Sequence, residues 1–306
     1  GHRRAMRSAE AWDPHLARFV PAEEALQWRR ACRAWQERWA AAWEAHRGLT
    51  AKFKGRPLGN AGAAKLGQKL PRSELQSLDL DLSCDPGLTF AGVRSLGLRR
   101  PGALLSLKLA LEDAGRLRDL PPPPPGLREL RLGLARCSLG DEALADFAST
   151  LPAGLRTLEL DLEGNCFGVP GCTALARGLP GGLARLKLRL TQVEAVGDAG
   201  AAALGAALAR LAGLEVLELD LDRCHVSSTG AAAVATSLPS SLRELGLFVP
   251  HCPALTDAGA QAIVAALPRL HLRKLELNFD GTALSSEGAE RACAAVPLEG
   301  LETLSL

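Results

Sequence analysis

With 306 residues, 47% of them hydrophobic, the chain can bury a large core as one elongated domain or as two compact ones. A formal charge of +2, from 36 basic and 34 acidic residues, excludes a global field that would draw in nucleic acid or an anionic membrane, so any partner is recognised locally. Eight cysteines without paired short spacings argue against a disulfide-stapled secreted module and for a soluble protein of a reducing, cytoplasmic or nuclear, compartment; no run approaches the roughly 18 apolar residues of a membrane span.

The basic start GHRRAMRSAEAWD lacks the apolar core of a signal peptide, and with Gly first and Met only at position 6 the chain reads as a fragment or a processed form. All five Trp (Trp12, Trp28, Trp35, Trp39, Trp43) precede residue 50, a composition shift that separates an N-terminal segment, 1–50, from the remainder, 51–306. The run FVPAEEALQWRRACRAWQERWAAAW predicts a helix, because Trp28, Cys32, Trp35, Trp39 and Trp43 recur every three or four residues along one stripe. Large rings on one stripe suit a cap that closes the open end of an array. The stretch from Val20 to Leu26, followed by Arg30-Ala31-Cys32-Arg33-Ala34-Trp35, is also similar to the latter half of an F-box, and this resemblance at residues 19–40 implies a tether, through residues 12–47, to the adaptor of a cullin-type ubiquitin ligase.

Beyond the boundary an apolar residue recurs at relative positions 1, 4, 6 and 8, in copies starting at Leu75, Leu104, Leu127, Leu155, Leu183, Leu214, Leu242, Leu272 and Leu301. The gaps between starts are 29, 23, 28, 28, 31, 28, 30 and 29 residues. Near-alternation predicts a strand. A second half follows most copies, marked by Gly62, Gly92, Gly171, Gly200, Gly230, Gly259 and Gly288, with Ala143 standing in once. Four residues later come Leu66, Leu96, Phe147, Leu175, Leu204, Val234, Ile263 or Ala292, which is helical spacing, and a Leu-Pro or Val-Pro pair closes many copies. Each unit is a strand plus a helix that cannot bury its apolar face alone, so the units must stack with their strands in a parallel sheet.

On these residues the chain resembles the leucine-rich repeat family over residues 58–306, and its long units look like the ribonuclease-inhibitor subclass. The resemblance implies an α/β solenoid, a horseshoe of about nine repeats with a parallel concave sheet and outer helices. The fourth apolar position departs from the family pattern. It predicts a strand two residues longer and shifts the polar ladder position to Cys137, Asn165, Cys224 and Cys252, with Asp85, Ala114, Val193 and Thr282 there elsewhere.

In the second copy PPPPP, Pro121 to Pro125, replaces the helix, which explains the 23-residue gap; five prolines predict an extended left-handed segment exposed on the outer face, available to a proline-reading domain. Positions 5 and 7 of each copy point to the concave face. Candidate protein-binding residues there are Lys108, Arg131, Glu159, Asp161, Lys187, Arg189, Glu218, Asp220, Phe248 and Asn278. Parallel register would align Glu159, Lys187 and Glu218 in one ladder and Asp161, Arg189 and Asp220 in a second, about 5 Å apart. Such alternation cancels the local field and, without interleaved aromatics, argues against a nucleic-acid groove. Phe248, beside Gly246, is the exposed sticky spot.

Cys224-His225 and His251-Cys252 invite a metal, but the ladder slot already accounts for both cysteines as small buried side chains. None of the six His has a nucleophile or carboxylate at a motif spacing, and there is neither a P-loop nor a dinucleotide-binding glycine fingerprint, so no enzyme, metal or cofactor is expected. The expected function is a scaffold whose concave face binds a protein. An F-box-like substrate receptor and a Ran-type GTPase-activating regulator are the alternatives, the last resting on the repeat alone. The copy beginning at Leu301 stops at Leu306 without a covering helix, so further repeats, or self-association through that edge, are expected.

Overall fold

The computed structural model describes residues 48–55, 58–70, 75–98, 104–114, 117 and 119–306; the tryptophan stripe and the F-box-like run lie outside them. Its strands are β1 (Gly48–Lys52), β2 (Ser77–Asp81), β3 (Ser106–Ala110), β4 (Glu129–Gly133) and β5 (Thr157–Asp161), followed by β6 (Arg185–Arg189), β7 (Val216–Asp220), β8 (Glu244–Phe248), β9 (Lys274–Asn278) and β10 (Thr303–Ser305). The helices are α1 (Gly59–Lys69), α2 (Phe90–Ser95), α3 (Asp141–Ser149), α4 (Val169–Gly178), α5 (Gly197–Leu208), α6 (Ser228–Thr236), α7 (Asp257–Ala266) and α8 (Ser286–Ala294). All ten strands form one parallel sheet in sequence order. This is the α/β solenoid that the periodicity requires.

The register follows the leucine spacing. Leu158, Leu186, Leu217, Leu245 and Leu275 stand opposite one another across successive strands, as do Leu160, Leu188, Leu219, Leu247 and Leu277. All ten are buried. Pairing continues past the strand ends at the fourth apolar position, where Leu134 N–H donates to Asp161 C=O at 2.8 Å and Leu162 N–H to Arg189 C=O at 2.8 Å. The longer strand expected from that position is therefore present as backbone pairing.

A tenth strand, β1, precedes the nine copies. Leu49 faces Leu78, Ala51 faces Leu80, and Phe53 N–H donates to Asp81 C=O at 2.7 Å. Its copy reads His46, Leu49, Ala51, Phe53, so only the first position breaks the apolar rule.

The ladder position works as a backbone clamp. Asn165, 7% exposed, accepts the N–H groups of Cys137 (3.2 Å) and Leu139 (3.0 Å) and donates to the carbonyls of Leu134 and Leu162, both at 2.8 Å. A cysteine does part of the same task. The thiol of Cys137 donates to Leu111 C=O at 3.1 Å, that of Cys224 to Leu190 C=O at 3.0 Å and that of Cys252 to Leu221 C=O at 3.5 Å, each carbonyl belonging to the preceding unit.

The marker glycines have a packing cause. Asp141, in the first turn of α3, accepts the N–H groups of Gly168 and Gly171 at 2.8 and 2.7 Å, capping the helix of the next unit. A Cβ on Gly171 would stand 2.7 Å from that same carboxylate oxygen. Asp198 treats Ser227 and Gly230 in the same way, and Asp257 accepts from Ser285. At Ala143, the one exception, the preceding unit has no helix among its described residues.

That unit corrects one expectation. Pro123 and Pro124 are buried, Pro121 and Pro122 partly so, and only Pro125 is exposed. Without a helix, the inward leucines of β3 and β4 would face water, and the prolines are the apolar cover at hand. A cavity of about 500 Å³ remains between them and Leu107, Leu109, Leu130, Leu132 and Phe147. Among the described residues no helix is long and apolar enough to cross a membrane.

Candidate functional site

Alternation along each strand sends the non-leucine side chains to the sheet face that the helices leave uncovered, and the burial pattern of β5, β7 and β9 repeats it, partly exposed residues between buried leucines. Every sequence-predicted site residue lies on this face. Lys108, Arg131, Glu159, Lys187 and Glu218 occupy the central column; Asp161, Arg189, Asp220, Phe248 and Asn278 occupy the next.

The structure pairs the charges rather than spreading them evenly. Lys108 Nζ reaches Asp79 at 3.4 Å, Arg131 Nε reaches Glu159 at 3.6 Å, and Lys187 contacts Glu218. Lys187 is thus engaged on one side only. The parallel column is a true bridge, with Arg189 Nη1 at 3.1 Å from Asp161 and its Nε at 3.7 Å from Asp220. Both ladders exist in register, but the first resolves into separate couples. Screening by solvent limits each exposed couple to about 0–1 kcal/mol.

Sequence reasoning overlooked the columns on either side. At the strand starts Glu129 accepts Arg131 at 2.5 Å and the Ser106 hydroxyl at 2.8 Å. Burial pushes its carboxyl up, but those hydrogen bonds more than offset this and hold it below the ordinary value. Lys274, at 2.9 Å from Glu276, is raised above its ordinary range, first by that hydrogen bond. Past the strand ends Arg136 grips Asp113 through two nitrogens at 2.7 and 2.9 Å and Glu163 at 2.7 Å; the hydrogen bond from Arg136 lowers Asp113. His251 Nδ1 lies 2.9 Å from Asp222. Arg136, Arg223 and His251 sit at backbone φ of 56°, 54° and 49°, a left-handed corner that apolar periodicity does not reveal.

Phe248 is placed by a gap. Its Cε2 lies 3.0 Å, and its Cζ 3.3 Å, from where a Cβ on Gly246 would be, so the ring fills the room left by the glycine and is only partly exposed. Glu112 similarly covers Gly133, and its Oε2 accepts the Ser83 hydroxyl at 2.8 Å. Asp220, beside Phe248 in register, is pushed above the ordinary carboxyl value, first of all by burial.

The cysteines of the suspected metal pairs are occupied otherwise. Burial raises the Cys224 thiol, which donates to Leu190 C=O, the Cys252 thiol donates to Leu221 C=O, and His251 turns to Asp222. Among the described residues no group of three His, Cys, Asp or Glu side chains is arranged to hold a metal ion.

Comparison with known proteins agrees with the repeat. A leucine-rich repeat family model matches residues 154–176, which span β5 and most of α4. No curated protein sequence matches the chain. Among solved structures, that of the Rad7 and Elc1 complex in yeast is 17% identical, covering 93% of this chain and 73% of that one with a TM-score of 0.43. The leucine-rich repeat-containing protein LegL7 from Legionella pneumophila is 14% identical, covering 81% of this chain and 97% of that one with a TM-score of 0.34.

Proposed function

We propose that this chain, a leucine-rich repeat protein, is a non-enzymatic scaffold that holds a partner protein on the uncovered face of its sheet. The observation that carries the reading is the face itself, ten strands wide, with one aromatic among paired charges. Paired charges keep such a face soluble yet leave directional groups for a partner, and specificity follows from which pairs are re-made on docking. The fold alone does not name the partner.

The test is quantitative capture from a cell extract with the full chain, its Phe248→Ala and Arg189→Glu variants, and Glu142→Arg, which alters an exposed residue of α3 on the helical side. A specific partner should be lost with the first two and kept with the third. The opposite pattern would place binding on the helices and end this reading.

The F-box-like run at residues 19–40 supports a second reading, in which the same face presents its partner for ubiquitylation. Co-purification of a ligase adaptor that disappears when residues 12–47 are removed is the result it requires.

A further inference from the structure

The geometry points to a subsite on the open face, formed by Phe248 with the carboxylates of Asp220 and Glu276, that takes an arginine side chain of the partner. It rests on the scaffold reading and specifies the chemistry of the docking segment.

Three observations converge. Phe248 is the one aromatic at a face-directed strand position among the described residues, and it sits over Gly246 with Asp220 and Asn278 opposite it in register on either side. Glu218 and Glu276 flank Gly246 in the same manner. The ring is therefore surrounded by carboxyl and amide groups.

The carboxylates are incompletely compensated. Asp220 shares Arg189 with Asp161, and Asp161 has the shorter contact, 3.1 against 3.7 Å. Burial raises the Asp220 carboxyl even though it accepts the Asp222 N–H at 3.0 Å and a hydrogen bond from Thr191, so its lost hydration is not fully offset. Glu276 is held from one side, by Lys274 on its own strand. An arriving cation is thus attracted to the ring quadrupole and to Asp220 together.

Arginine fits better than lysine. Its planar guanidinium stacks on an aromatic ring while its fork of N–H donors reaches a carboxylate, whereas a lysine ammonium does one or the other. The stem of the arginine would lie along the apolar ring, where water is displaced at little polar cost.

The chain has seven Phe and no Tyr, so the protein with ring-13C phenylalanine gives few aromatic signals, and Phe248→Leu identifies the one that matters. Titration would use N-acetyl-arginine N-methylamide, with the lysine and norleucine analogues in parallel. The arginine probe should shift the Phe248 signal saturably, the lysine probe more weakly and the norleucine probe not at all, and Asp220→Asn should weaken the arginine probe on the order of tenfold. Equal shifts with norleucine, no saturable shift with arginine, or indifference to Asp220→Asn would each overturn the subsite. If the arginine probe fails while the face variants still lose the captured partner, the scaffold reading stands and only the subsite falls. A probe that binds while capture ignores Phe248→Ala keeps the subsite and removes the scaffold reading of this face.

Discussion

Asp257 and Ser285 are joined across two repeats by a pair of hydrogen bonds, the backbone N–H and the hydroxyl of the serine each reaching the aspartate at 2.7 Å. The aspartate begins one helix and caps the next, so the helical layer is tied together by side chains rather than by apolar contact alone. The same relationship recurs at Asp141 and Asp198.

This relationship sets a pH dependence. Hydrogen bonds from Ser285 lower the Asp257 carboxyl below its ordinary value. A group whose folded-state pKa is depressed contributes stability that is present above its unfolded pKa, about 3.9 for Asp, and is lost as pH falls through the folded value. The melting temperature of Asp257→Asn should therefore lie below that of the parent by a constant amount above about pH 5, and the two should converge in stronger acid. A gap that does not narrow at all as the pH falls through the carboxylate range would show that charge has no part in the cap.

The glycine opposite each cap is coupled to it. Asp198→Ala should destabilise by about 1 kcal/mol through loss of a helix cap. Gly230→Ala should cost more, since its new methyl would meet the Asp198 carboxylate as well as Val226. In the Asp198→Ala background the same Gly230→Ala change should cost less, because one obstacle has gone. Strict additivity in urea unfolding would refute that coupling.

Asn165 is the most heavily bonded ladder residue, and Asn165→Leu would orphan two N–H groups and two carbonyls of the turn. A loss of about 2–4 kcal/mol is expected. Asn165→Cys should retain more stability, since cysteines hold the equivalent place at Cys137 and Cys224. Denaturant midpoints of the two variants decide the order.

Lys187→Glu places a third carboxylate in register between Glu159 and Glu218. The expected loss is about 1 kcal/mol or less, shrinking in 1 M salt where exposed charges are screened. Salt titration of the melting temperature measures it; an unchanged deficit would mean the ladder does not govern the effect.

Much of this architecture is legible in the chain because leucine at positions 4, 6 and 8 has a single use, the inner face of a strand. Leu158 and Leu160 announce β5, but Ala51 and Phe53 do not announce β1, since the first position of that copy is His46. Columns 5 and 7 were readable from alternation alone. Which charges pair was not, because Glu159 and Glu218 both stand in register beside Lys187 and spacing does not choose between them. Arg136 and His251 escape altogether: a left-handed corner has no hydrophobic signature. The prolines misled for a related reason, as their conformation follows from sequence while their burial depends on the uncovered leucines of two strands.

The unit with prolines in place of a helix interrupts one layer of the array and leaves the other whole. From β2 to β5 the backbone pairing is unbroken, yet α2 and α3 are separated by the cavity and the proline run. In a stacked array each unit is stabilised chiefly by its neighbours, so a junction with half its interface is where cooperativity divides. The units before the prolines can then open while those from β4 onward remain folded. Hydrogen exchange would report this as two protection classes meeting near residue 120, and the uncovered sheet face beyond that seam would keep its geometry while the first units come and go.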